Sequence, residues 1–304
     1  MRAAGAGVER VATPGVLACA GIAVLVVAAV YAKNTWLFGS FSASTWTGMN
    51  LANVAMARWS PEERRSLVAR GAVSPLVLVD PFAELAYYPV QGRDAGPDHP
   101  LLRDAWKAPG LPNYNHRAYV EISRQYGRDA LALIRADPAR YWASVREAWR
   151  RYLLPPSDYP FVAGNRQAIA TVDRLYDALV YGVPAAWRGA ESSVGRGPPV
   201  PLARRGCWLW LVLAIVGCGV AAAAVGEGIL ARVRGVRMES ARAARLATLS
   251  FCLFDVAFVS VLANAFELGE NNRFRVPIEP LLVVLVAHAG LALVRAWRVR
   301  PAPA

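Results

Sequence analysis

Lysine, cysteine, histidine and paired acids are all scarce in these 304 residues, and each scarcity excludes something. Of 34 basic residues only Lys33 and Lys107 are lysines, a bias toward arginine that reads as a genome-wide preference. The four cysteines, Cys19, Cys207, Cys218 and Cys252, all fall in apolar runs, so the polar middle of the chain has no disulfide framework. Packing must hold it. The three histidines, His99, His116 and His288, lie near no cysteine and show no His-x-x-x-His spacing. A metal site therefore lacks ligands, and no cofactor is expected. No Gly-x-Ser-x-Gly elbow, phosphate-binding loop or dinucleotide fingerprint occurs. The acids are scattered, and no two make a defensible general acid and base.

What the chain does have is apolar length. It is 55% apolar with a mean hydropathy of +0.28, and the apolar residues collect in Val16–Ala32, Cys207–Leu230, Leu246–Phe266 and Val276–Val294. Crossing a bilayer takes roughly 20 residues at 1.5 Å each, which these runs supply. The fold class expected is α, an integral membrane protein with four transmembrane helices. Arg2 and Arg10 precede the first run as in a signal peptide. Its core of about 17 residues is long for that role, and Val30-Tyr31-Ala32-Lys33 is a poor cleavage site, so an uncleaved anchor is favoured.

The formal charge of +12 is unevenly spread. Residues 231–245 carry Arg232, Arg234, Arg237, Arg242 and Arg245 against Glu239 alone, and the tail carries Arg295, Arg298 and Arg300. Four alternating helices put these on the same side as Arg2 and Arg10. The positive-inside rule makes that side the cytoplasm, leaving 34–205 and the turn 267–276 outside, with Arg204 and Arg205 running against the pattern. The protein is thus expected in the cell membrane as a multi-pass chain. Topology accounts for the cytoplasmic arginines, so nucleic acid is not an expected partner. The domains expected are 1–33, tail and first span; 34–205, a mostly helical extracytoplasmic domain; and 206–304, three spans.

Within the outer part, Asn34–Leu51 is rich in Ser, Thr and aromatics. It reads as an interfacial belt of Trp36, Phe38, Phe41 and Trp46, or as a lining for a sugar or lipid. Ser60-Pro61-Glu62-Glu63 predicts a capping box opening a helix that stops at Gly71. Val73–Val79 reads as a strand or a buried extended piece, and 89–112 as loop. Helices are predicted over His116–Ala136, then from Pro138 behind an Asp137 cap to about 153, and over Asn165–Tyr181, with a linker from Pro184 to Arg205. His116 reads as a cap or loop contact, with catalytic use as the other reading.

Two places carry candidate chemistry. Asp255 falls near mid-membrane, where an ionisable group is costly unless paired or protonated. It is either functional or a neutral acid bonded to Asn264 or His288. Glu227 lies near the cytoplasmic end, toward Arg232. The second place is the polar turn with Glu270, Asn272, Arg273, Arg275 and Glu279. Arg273 and Arg275 either pair with Glu267 and Glu270 or fork a lipid-linked phosphate, while Glu279, one turn after Arg275, can pair with it.

The Glu270–Pro280 run resembles the last outer loop and final helix of polytopic C-class glycosyltransferases, which draw sugars from polyprenyl-phosphate donors. Many of these carry Arg-Tyr/Phe-Arg-x-Pro-x-x-Pro there, and Arg273-Phe274-Arg275-Val276-Pro277-Ile278-Glu279-Pro280 is similar to it. The class has many more membrane helices and a catalytic carboxylate in the first outer loop. Here Asn34–Trp59 holds no Asp or Glu, and the next acid is Glu62, so no catalytic residue carries over. The resemblance implies the C-terminal portion of such an enzyme, binding a polyprenyl-phosphate-linked sugar or glycan and turning over only with a partner that supplies the acid. The other expectation is a non-catalytic membrane subunit or scaffold whose outer helices dock a partner protein.

Overall fold

The computed structural model describes residues 5–42, 44–88, 100–152, 171, 208–236, 238–269 and 271–298. The helix expected over 165–181 and the linker 184–205 lie outside them, apart from the single residue 171. The described chain is mainly helical and forms two compact units, Met1–Trp142 and Ala143–Ala304.

In the first unit, α1 (Gly5–Phe38) includes a segment long and apolar enough to cross a membrane, Gly21–Phe38. It runs past the expected end at Ala32 because the polar residues there satisfy themselves. Thr35 donates its hydroxyl to the Tyr31 carbonyl at 2.8 Å, and Asn34 donates to the Ser42 carbonyl at 2.7 Å. Gly39, at φ +60°, then turns the chain. The expected aromatic belt divides. Trp36 and Phe41 are 85% and 76% exposed, whereas Trp46 turns inward and donates its indole N–H to the Tyr114 carbonyl at 3.1 Å.

Beyond Trp46, α2 (Thr47–Met56) lies against α5 (Ala118–Ala136). Gly48 permits this crossing, since a Cβ there would overlap the Ser123 carbonyl. Ser123 also accepts, on its hydroxyl, the backbone N–H groups of Gly48 at 3.1 Å and Met49 at 3.3 Å. The core between them holds Met49, Ala52, Ile122, Tyr126, Ala130 and Leu133. The helix α3 (Pro61–Ala69) opens with the predicted capping box, Glu63 N–H to Ser60 Oγ at 3.2 Å and Ser60 N–H to Glu63 Oε2 at 2.8 Å.

The Val73–Val79 expectation needs correcting. Pro75–Leu78 is a 3₁₀ turn, because Ser74 caps it by accepting the Leu76 N–H at 3.3 Å. Tyrosine hydroxyls strap the following loop. Tyr126 donates to the Leu76 and Val79 carbonyls, Tyr114 to Phe82, Tyr119 to Ala83 and Tyr88 to Asp80, at 2.8–3.1 Å. Burial pushes the pKa of all four upward. The expected loop 89–112 contains a single helical turn, α4 (Pro100–Arg103), and a small antiparallel ribbon of β1 (Trp106–Ala108) and β2 (Leu111–Pro112) turning at Gly110.

Asp137 caps α6 (Pro138–Tyr152) as expected, accepting the Arg140 N–H at 3.2 Å. Arg140 also bridges to Glu63 at 2.8 Å and lies over the Trp59 ring, and its hydrogen bond brings the Glu63 carboxyl down to about 2. The unit division falls inside α6, after Trp142.

The second unit contains α7 (Trp208–Val233), α8 (Ser240–Phe266) and α9 (Glu279–Arg298). Val212–Val233, Ser240–Phe266 and Arg273–Arg298 are each long and apolar enough to span a membrane. Close approach again falls at glycines. A Cβ on Gly217 would stand 2.9 Å from the Val286 nitrogen, and one on Gly228 would overlap the Leu246 side chain. Ala221, Leu249, Cys252 and Leu285 form the core between the helices.

Candidate functional site

The polar turn between α8 and α9 is built from its own amides. Residues Asn271–Ile278 form a 3₁₀ segment that runs directly into α9. Asn271 is fully buried and acts as the staple. Its Nδ2 donates to the Glu267 carbonyl at 2.8 Å and lies 3.2 Å from both the Ala263 carbonyl and Asn264 Oδ1, while its Oδ1 accepts the Gly269 N–H at 3.0 Å. Two of these acceptors are backbone carbonyls at the C-terminal end of α8, Ala263 in its last turn and Glu267 just after it. Asn264 in turn donates to the Ser260 carbonyl at 2.7 Å.

Arg275 organises the other half. Its side chain is 3% exposed, and its Nε donates to Glu279 Oε1 at 3.0 Å, the i,i+4 pair expected. A terminal guanidinium nitrogen donates to the Tyr152 carbonyl at 3.0 Å. That carbonyl belongs to the last described residue of α6. Tyr152 extends the network through its hydroxyl, 2.8 Å from Ser260 Oγ, and burial raises its pKa. A continuous buried polar chain therefore runs Glu279, Arg275, Tyr152, Ser260, Asn264, Asn271.

The expected site residues separate by location. Arg273 is exposed, with its guanidinium 4.9 Å from the Phe274 ring centroid. Arg275 is buried and engaged with Glu279. Glu279 is 15% exposed in its side chain. Asn272 lies in the 3₁₀ segment, and its side chain is not described; Glu270 lies outside the described residues.

Asp255 receives neither of the partners expected for it. Asn264 is occupied by Ser260 and Asn271, and among the described residues Asp255 makes no hydrogen bond or ion pair, with His288 or with any other group. His116 is a cap, as one reading held: its Nδ1 accepts the Ala118 N–H at 3.1 Å, and burial lowers its pKa. No group of three or more His, Cys, Asp or Glu side chains suited to a metal occurs among the described residues.

Sequence reasoning missed Tyr152, Ser260 and Asn271 as parts of one network. Tyr152 was legible only as the last aromatic of an amphipathic helix, and nothing local ties it to residues more than 100 positions away. It also missed Glu147, a buried acid on α6 that accepts from Arg151 at 3.3 Å and leaves Oε2 without a hydrogen bond. On α6, Val145, Ala148 and Tyr152 are buried, whereas Trp142 is exposed. No known protein family, curated protein or solved structure matches this chain.

Proposed function

We propose that this chain is a multi-pass membrane protein whose turn between α8 and α9 contacts the phosphate of a polyprenyl-phosphate-linked sugar at the outer leaflet. It would act as the C-terminal part of a C-class glycosyltransferase, with the reacting acid supplied by a partner. The observation that carries the reading is Arg273, an exposed guanidinium on a short braced turn between two membrane-length helices. A guanidinium forks a phosphate through two parallel N–H donors, and a rigid turn loses little entropy in presenting it. Arg275 and Glu279 then position the turn, and Asn271 holds its other end, so none of these three touches the phosphate.

The test is binding of a radiolabelled polyprenyl phosphate to the full chain in nanodiscs. Losing one charge-assisted contact of about 1.5–3 kcal/mol makes Arg273→Ala bind roughly 10- to 100-fold more weakly, with an unchanged melting profile. Arg273→Lys keeps the charge but not the fork, and falls between. Unchanged affinity in Arg273→Ala sinks the proposal.

A further inference from the structure

One face of α8 carries a single acid among apolar residues. Asp255 lies 15 residues after Ser240 and 11 before Phe266, about 22 Å and 16 Å from the helix ends at 1.5 Å per residue. Phe251, Asp255, Phe258 and Leu262 follow at spacings of four, three and four, so they share one stripe, and its three apolar members are exposed. Leu249, Cys252, Ser260 and Asn264, by contrast, are buried. A mid-span carboxylate with no partner among the described residues needs a donor from elsewhere or a proton.

α9 carries a stripe of the same form. Val284, His288, Leu291 and Arg295 follow at four, three and four; His288 is half-buried and the other three are exposed. Depth follows from the contacts that α7 makes. Gly217 meets Val286 and Gly228 meets Leu246. Eleven residues of α7 separate those contacts, and eleven residues up α8 from Leu246 is Ala257, which puts Ala257 level with Val286. Asp255 and His288 each lie two residues from that level in the same direction, so they share a depth. No bond joins them within one chain among the described residues.

We infer that these stripes are the contact between two copies of this chain, α8 of one packing on α9 of the other, with Asp255 accepting a hydrogen bond from His288 of the second copy. Two copies inserted in the same orientation bring the residues to one depth without further adjustment. The exposed Phe251, Phe258 and Leu262 then meet Val284 and Leu291. A different membrane protein would have to supply a donor at that depth, whereas this chain already holds one. The inference needs α7–α9 in a bilayer and is independent of any role for Arg273.

Full-length chains bearing donor or acceptor fluorophores, reconstituted in liposomes across a range of dilutions, report association by energy transfer. Asp255→Leu and His288→Leu each weaken association about three- to tenfold, the range for a hydrogen bond between membrane helices. The exchange D255H with H288D restores the native value. Both leucine variants are more apolar than the native chain, and circular dichroism of the liposomes checks that they remain helical. A native chain that stays monomeric at every dilution overturns the inference, as does Asp255→Leu associating like the native chain. Association with a different membrane protein in place of self-association overturns it too.

Discussion

Arg273 and Arg275 stand two residues apart, and the fold uses them in opposite ways. A 3₁₀ turn separates them by about 240° around the axis, so one faces out while the other faces Tyr152 of α6. Arg275 can be buried because it meets acceptors, among them the Glu279 carboxylate and the Tyr152 carbonyl. Arg275→Ala leaves a nearly buried carboxylate without its cation and removes the donor to the Tyr152 carbonyl. Breaking such a pair from one side costs about 3–5 kcal/mol. Thermal unfolding in detergent should show that loss, and Glu279→Gln in the same background should recover part of it. A melting temperature unchanged by Arg275→Ala would mean that the ion pair contributes nothing. The i,i+4 spacing made the Glu279 partner legible in the sequence. The Tyr152 partner was not legible, because hydrogen bonding over 123 residues leaves no local pattern.

At the scale of elements, the sequence was most readable where local chemistry alone decides the outcome. Ser60 and Glu63 cap α3, and Asp137 caps α6, because their side chains reach only three residues along the chain. It was least readable where tertiary partners decide. Val73–Val79 has the composition of an extended piece, yet Ser74 and the Tyr126 hydroxyl bend it into a 3₁₀ turn. The α2–α5 crossing is a similar case, since glycines in a Ser- and Thr-rich stretch gave no sign of helix contact. It separates two substitutions of the same kind. Gly48→Ala drives a Cβ into the Ser123 backbone, and neither helix can give way without losing the core beneath. The cost should reach about 3 kcal/mol, the upper end of ordinary overpacking. Gly127→Ala meets only the Gly48 Cα, at 3.5 Å, an ordinary contact. Its gain in helix propensity of up to about 1 kcal/mol should leave the unit as stable as before or slightly more so. Equal destabilisation by the two variants in thermal unfolding would contradict this account of the crossing.

For the whole molecule, four apolar runs were enough to give four membrane-length helices, because hydropathy over some 20 residues does not depend on tertiary context. Their ends were less legible. α1 extends to Phe38 since Asn34 and Thr35 find backbone acceptors, and Arg273–Val276 belongs to a helical segment although it looked like a loop. Orientation rests on charge alone. The arginines of 231–245 and of the C-terminal tail fall on one side of an alternating chain, the side that the positive-inside rule would assign to the cytoplasm. Cys19, Cys218 and Cys252 sit inside apolar runs, where a charged, membrane-impermeant maleimide does not reach. Replacing Cys207, the first residue of its run, with Ser should leave a low background in intact cells. A cysteine in place of Ser193 should then label from outside. One in place of Ser240, beside the basic loop, should label only after the membrane is opened. Labelling of Ser240→Cys in intact cells would invert the topology. It would move the α8–α9 turn to the cytoplasmic face and remove the outer-leaflet phosphate from the reach of Arg273.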